Sequence, residues 1–101
     1  MNLADLLSEY RDNEVRADGK FKSKVILFSG VVTDVKQGEI GGITVNLGTG
    51  KRYETPHAHC FVADDQAKRV AMLSRGQKVT MKGKVQGLMM DVLLQNCELQ
   101  N

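Results

Sequence analysis

His57 and His59 are separated by a single alanine, and two imidazoles at that spacing share one face of a β-strand, an arrangement that zinc and copper sites use. A site needs at least a third ligand. Cys60 falls on the opposite face, and Glu54 is the nearest carboxylate. The two histidines therefore read as exposed or hydrogen-bonded side chains, with neither metal nor cofactor expected. Gly48, Thr49, Gly50 and Lys51 resemble part of a phosphate loop, but that pattern needs glycine where Val45 stands and serine or threonine where Arg52 stands. The segment reads instead as a hairpin loop. Ser8, Ser23, Ser29 and Ser74 do not sit in a strained glycine elbow, and no spacing pairs a carboxylate with a histidine. Neither enzyme activity nor a small-molecule substrate is expected.

Cys60 and Cys97 are too few for a metal site and too far apart in sequence for a close-spaced redox pair. Two readings stay open. In a reducing compartment they are buried free thiols; in an exported protein they form a disulfide, provided that their strands are neighbours.

Fourteen Lys and Arg against twelve Asp and Glu give a net charge of +2, too near balance for the total to name a polyanion partner. The longest apolar runs fall far short of the roughly 20 residues that cross a bilayer as a helix, so no membrane span is expected. The N-terminus lacks the basic start and apolar stretch of a secretory signal. This predicts a cytoplasmic protein for the chain as it stands, although a trimmed exported protein would look the same.

The elements that must position these residues follow from hydrophobic period. Leu3, Leu6, Leu7 and Tyr10 recur at helical spacing, with Asn2 or Asp5 as cap, and predict an amphipathic helix from Leu3 that runs on or restarts through Val15 to Lys20 and lies as a lid on the core. Lys24 to Lys36 predicts a long strand with a bulge at Ser29 and Gly30, which would set Val25 and Leu27 inward with Val31 or Val32, Thr33 and Val35. Ile43 to Leu47 and His57 to Ala63 are the second and third strands. Asp64 to Leu73 reads as a short helix capped by Asp64, with Ala67, Val70, Ala71 and Leu73 facing the core. In the fourth strand Val79, Met81, Gly83, Val85 and Gly87 alternate strictly with Lys78, Thr80, Lys82, Lys84 and Gln86. Gly83 and Gly87 relieve crowding where a strand coils round a narrow barrel. The closing strand ends near Leu99.

Helix, three strands, short helix and two strands is the connectivity of the OB-fold, a five-stranded Greek-key barrel. One domain over residues 1–101 is expected, with a helical segment at 1–20 and the barrel at 22–99.

Several stretches carry a resemblance as well: Asn-Glu-Val-Arg-Ala-Asp-Gly-Lys-Phe-Lys-Ser-Lys at 13–24, Ser-Gly-Val-Val at 29–32, Cys-Phe at 60–61, Leu-Ser-Arg-Gly-Gln-Lys-Val-Thr-Met-Lys-Gly at 73–83 and Asn-Cys-Glu-Leu at 96–99. Together they resemble the bacterial tRNA-anti-like family of OB-fold proteins. The resemblance implies the fold and a kinship with nucleic-acid-binding OB domains. It brings no catalytic residues, and many of that family's members are exported or lipid-anchored.

OB barrels bind single strands on the face of strands two and three. Lys36, Lys51, Arg52, Lys82 and Lys84 are the candidate phosphate contacts, with Tyr53, His59 and Phe61 as candidate stacking rings. The expected function is a non-catalytic binding module for single-stranded DNA or RNA. The alternative is a protein-interaction module, an adaptor or inhibitor, using exposed strand edges and the apolar run Leu88, Met89 and Met90.

Overall fold

The computed structural model describes residues 1–38, 42–51 and 54–100. Two helices open the chain, α1 at Leu3–Asp12 and α2 at Glu14–Phe21, followed by strands β1 at Val25–Gln37, β2 at Ile43–Gly48 and β3 at Ala58–Val62. A single turn of 3-10 helix at Asp64–Gln66 runs into the short α3 at Ala67–Val70, and β4 at Lys78–Met89 and β5 at Asp91–Leu99 complete the chain. The strands close into a barrel in the order β1-β2-β3-β5-β4, with β4 returning to β1. All pairs are antiparallel except β3 with β5. This is the OB-fold.

β4 sets the phase of the barrel. Its inward column of Val79, Met81, Gly83 and Val85 is buried throughout, as alternation predicts. Gly83 has no room for a side chain, since a Cβ there would lie 2.7 Å from Cys97 Sγ. Gly87 departs from the expected inward phase: the register shift between Val85 and Gly87 sets it opposite Leu93, where a Cβ would face Asp18 and Lys22 instead of the core. Its φ of +125° is a conformation that L side chains rarely adopt.

β1 takes its phase from β4, and here the sequence expectation is corrected. Val25, Leu27 and Val31 pair with Lys84, Lys82 and Lys78, so they share the outward side with those lysines. Val25 and Leu27 are consequently exposed, while Phe28, paired with Met81, is fully buried. No bulge interrupts Ser29 and Gly30, which pair in unbroken register with Thr80 and Val79. The register shift lies between Val32 and Asp34. One extra residue there returns Val35 to the inner side opposite Val45 and swings Asp34 outward opposite Asn46.

The helices seal the barrel. Asn2 caps α1 by accepting from the Ala4 amide at 3.0 Å, and Leu3, Leu6, Leu7 and Tyr10 are all buried, which makes α1 the expected lid. Asn13 ends that helix and caps the next by accepting from the Arg16 amide at 3.0 Å, so the chain restarts rather than running on. The Tyr10 hydroxyl donates to Asp18 at 2.9 Å, tying the two helices together.

In the segment before β4, Asp64 supplies no cap; Ala63 occupies the cap position and no side chain bonds the helix start. Ala71 is exposed, and Val70 is the fully buried apolar residue of the segment. The anchoring group is the buried Gln66. Its Oε1 accepts from the Leu99 amide at 3.0 Å, and Arg69 donates to the Leu99 carbonyl at 2.7 Å. A buried acceptor that satisfies the last strand in this way holds the barrel's closing end.

Two substitutions test this packing. Gly83→Ala should lower stability by about 1–3 kcal/mol, as overpacking of a filled core does, and Cys97→Ala should recover much of that loss by removing the sulfur in its path, read as a double-mutant cycle in urea. Gln66→Ala should cost about 1–3 kcal/mol in the same titration by leaving the Leu99 amide without its acceptor.

Candidate functional site

On β2 the core takes Val45 and Leu47, which leaves Thr44 and Asn46 on the outer surface. On β3 it takes Ala58 and Cys60, which turns His59 and Phe61 outward. Register then assembles a surface. Asn46 stands between Asp34 of β1 and His59 of β3, and Leu93 of β5 continues that row; Thr44 stands between Lys36 and Phe61 in the next.

His59 and Phe61 touch each other edge to face, with ring centroids 4.9 Å apart and planes at 73°. Phe61 is 40% exposed, the highest among the Phe and Tyr rings described. Tyr10 and Phe28 are buried and Phe21 packs against the core, so they are committed to the interior. The pair therefore forms a ring step beside Thr44 and Asn46 of β2, with Leu93 of β5 on its other side. Beside it, Asn46 keeps its Oδ1 buried without a hydrogen-bond partner. Thr33 donates to the Asn46 carbonyl at 3.1 Å, which ties the β1 register shift to the same row.

The charges at this surface are largely compensated. Lys36 lies 3.2 Å from Asp34, and Arg75 reaches the other oxygen of that carboxylate at 3.6 Å. The hydrogen bond from Lys36, reinforced by the charge of Arg75, holds the Asp34 carboxyl below its ordinary range. Lys51 is exposed beyond the far end of β2 and lines a cleft of about 620 Å³ with Arg11, Glu54 and Thr49. Glu54 organises that loop, accepting from the Thr49 amide at 2.7 Å and from the Thr49 hydroxyl.

The structure thus brings Lys36, His59 and Phe61 onto one surface, with Lys51 at its margin. Lys82 and Lys84 stand elsewhere. They point outward from β4, which borders β5 and β1 and touches neither β2 nor β3 in the strand order. With Lys78 they form a column beside exposed Val25 and Leu27, and Lys82 pairs with Glu98 at 3.6 Å. Arg52 and Tyr53 lie outside the described residues. Thr44 and Asn46 are the members of the surface that the sequence reading passed over. Their alternation with Ile43, Val45 and Leu47 is the signal that marks them.

His57 contributes through its backbone, donating to Asp91 Oδ1 at 3.0 Å and fixing the start of β5 against β3. Among the described residues no three His, Cys, Asp or Glu side chains come together as metal ligands. Cys60 and Cys97 are free thiols, both fully buried, and they touch through a hydrogen bond. That bond, with burial, pushes the Cys60 thiol well above its ordinary range. The β4–β5 hairpin tip exposes both Met89 and Met90, so neither fills the barrel end. No helix among the described residues is long and apolar enough to cross a membrane.

A closed five-stranded barrel in the order β1-β2-β3-β5-β4, with a helical segment between β3 and β4, defines an OB-fold domain. The chain matches the tRNA_anti-like family over residues 1–99 and belongs to that family. Among solved structures it is similar to a candidate nucleic acid-binding lipoprotein from Klebsiella pneumoniae subsp. pneumoniae MGH 78578. The two superpose with a TM-score of 0.80 at 20% identity, covering 100% of this chain and 92% of the other, a likeness of fold. No curated protein matches the chain.

The charge cluster gives a direct test. Asp34 should titrate below the usual carboxylate range by NMR, and Lys36→Ala should move it upward. Because its pKa is lowered in the folded state, its stabilising contribution is present above the ordinary carboxylate pKa and is lost as pH falls through the folded value. At an exposed pair that loss is small.

Proposed function

We propose that this chain is a non-catalytic module that binds single-stranded nucleic acid along the outer surface of β2 and β3. The observation that carries the proposal is the exposed edge-to-face pair of His59 and Phe61. An unpaired base offers a π-face that a solvent-facing ring can accept whatever the sequence, whereas a duplex keeps its faces stacked. The Asn46 amide beside the rings adds hydrogen-bonding capacity, and Lys36 and Lys51 supply cations at either end. Membership of the tRNA_anti-like family and the fold shared with the Klebsiella lipoprotein support the same reading.

Chemistry fits this surface poorly. Both thiols are sealed in the core, and Cys60 is held protonated, the reverse of an activated nucleophile. With one cation of the surface already paired to Asp34, stacking contributes more to affinity here than phosphate neutralisation. Weak dependence on sequence and a shallow salt slope follow.

Fluorescence anisotropy with a labelled oligodeoxythymidylate tests the proposal. Phe61→Ala should weaken binding by roughly tenfold or more at unchanged melting temperature, from a stacking contribution of about 1–3 kcal/mol per base. Lys51→Ala should reduce the salt slope by about 1, while Lys82→Ala with Lys84→Ala should leave affinity close to wild type. Failure of the wild-type chain to bind any single strand at low salt would reject the reading and favour a protein partner at the exposed Met89 and Met90 tip.

A further inference from the structure

The chain has two cysteines, and folding brings them together. Cys60 lies on β3 and Cys97 on β5, the one parallel pair among the described strands, where Cys60 stands opposite Leu94 and Val62 opposite Cys97. The register shift between Cys60 and Val62, with Asn96 in the left-handed region at φ +55°, turns Cys97 inward toward the same interior as Cys60. Both side chains are fully buried, and Gly83 packs its bare backbone against the Cys97 sulfur. Two fully buried cysteines that face one interior from hydrogen-bonded neighbouring strands are arranged as the halves of one bond.

We propose that Cys60 and Cys97 form an intramolecular disulfide across the β3–β5 seam when the chain folds in the presence of a disulfide-type oxidant. The thiolate of one cysteine attacks a sulfur of the oxidant, forming a mixed disulfide and releasing one oxidant thiolate. The thiolate of the second cysteine then attacks the protein sulfur of that mixed disulfide and releases the other half. Two cysteine protons are lost, two electrons pass to the oxidant, and the oxidant leaves as two thiols. The exchange belongs to folding, before the barrel closes. In the closed barrel the sulfurs are out of reach of any oxidant, and burial and the hydrogen bond keep the thiolate scarce.

The bond would tether strands that no short hairpin connects, and it would do so at the residue between His59 and Phe61. Its existence rests on packing alone and is independent of what the outer surface binds. Closing a long loop restricts the unfolded chain most, so the stabilising effect should be large.

The test starts from the full chain, reduced and denatured, and refolds one portion into a mixture of oxidised and reduced glutathione and another into reductant alone. The oxidised portion should be monomeric, show no thiol to a thiol reagent under denaturing conditions, and weigh less by two hydrogen atoms. It should also melt roughly 10 °C higher than the reduced portion, a rise absent from Cys60→Ser treated identically. Four results would overturn the proposal: both thiols still titrating after oxidative refolding to the barrel, glutathione adducts, disulfide-linked dimers, or loss of the barrel's circular dichroism under oxidant while the reduced portion refolds.

Discussion

β4 has to pair with β1 along one edge and β5 along the other while its inward side faces a core only a few side chains wide, and the rest of the molecule depends on how it does so. A strand of full-sized inward residues would crowd where it coils. β4 instead sets Gly83 among Val79, Met81 and Val85, so the inner column narrows at its tightest approach, and the register shift before Gly87, with that residue's positive φ, turns the strand. The consequence passes outward by pairing. Once Lys82 and Lys84 are outside, Val25 and Leu27 must be outside too, and Phe28 must meet Met81 in the core. The missing Cβ of Gly83 leaves room for the Cys97 sulfur in the core, where Cys60 is also fully buried.

Closure also fixes which surface is free to recognise a partner. The helices occupy the barrel ends and α1 buries its whole apolar stripe, so the sheet's outer face on β2 and β3 remains open. That face holds a ring pair, two small polar side chains and a lysine already bonded to a carboxylate. The column of lysines lies round the barrel on β4. Ring and charge are thus on different sides, which separates stacking from long-range attraction. A partner held at His59 and Phe61 is held chiefly by contact.

Much of this was legible in the sequence because the period-two pattern of β4 and the helical stripe of Leu3, Leu6, Leu7 and Tyr10 are long and unambiguous. The element order they bracket admits few topologies. β1 was harder, since Val25, Ile26, Leu27 and Phe28 are all apolar and carry no phase of their own; the lysines opposite decide it, and that partnership is a tertiary fact. The role of Gln66 was invisible for a similar reason, because its acceptor matters only once the Leu99 amide arrives beside it. Of the candidate site, His59 and Phe61 could be placed from alternation. The separation of Lys82 and Lys84 from them needed the strand order, in which β4 is next to β5 rather than β3.

The most direct measurement is a titration of the isotopically labelled chain with a short oligodeoxythymidylate, followed by amide chemical shifts in NMR. The account expects the largest shifts at Thr44, Asn46, His59 and Phe61, with a smaller change at Lys51. Shifts confined to Val25, Leu27, Lys78, Lys82 and Lys84 would contradict it, because recognition would then belong to the lysine face and not to the rings.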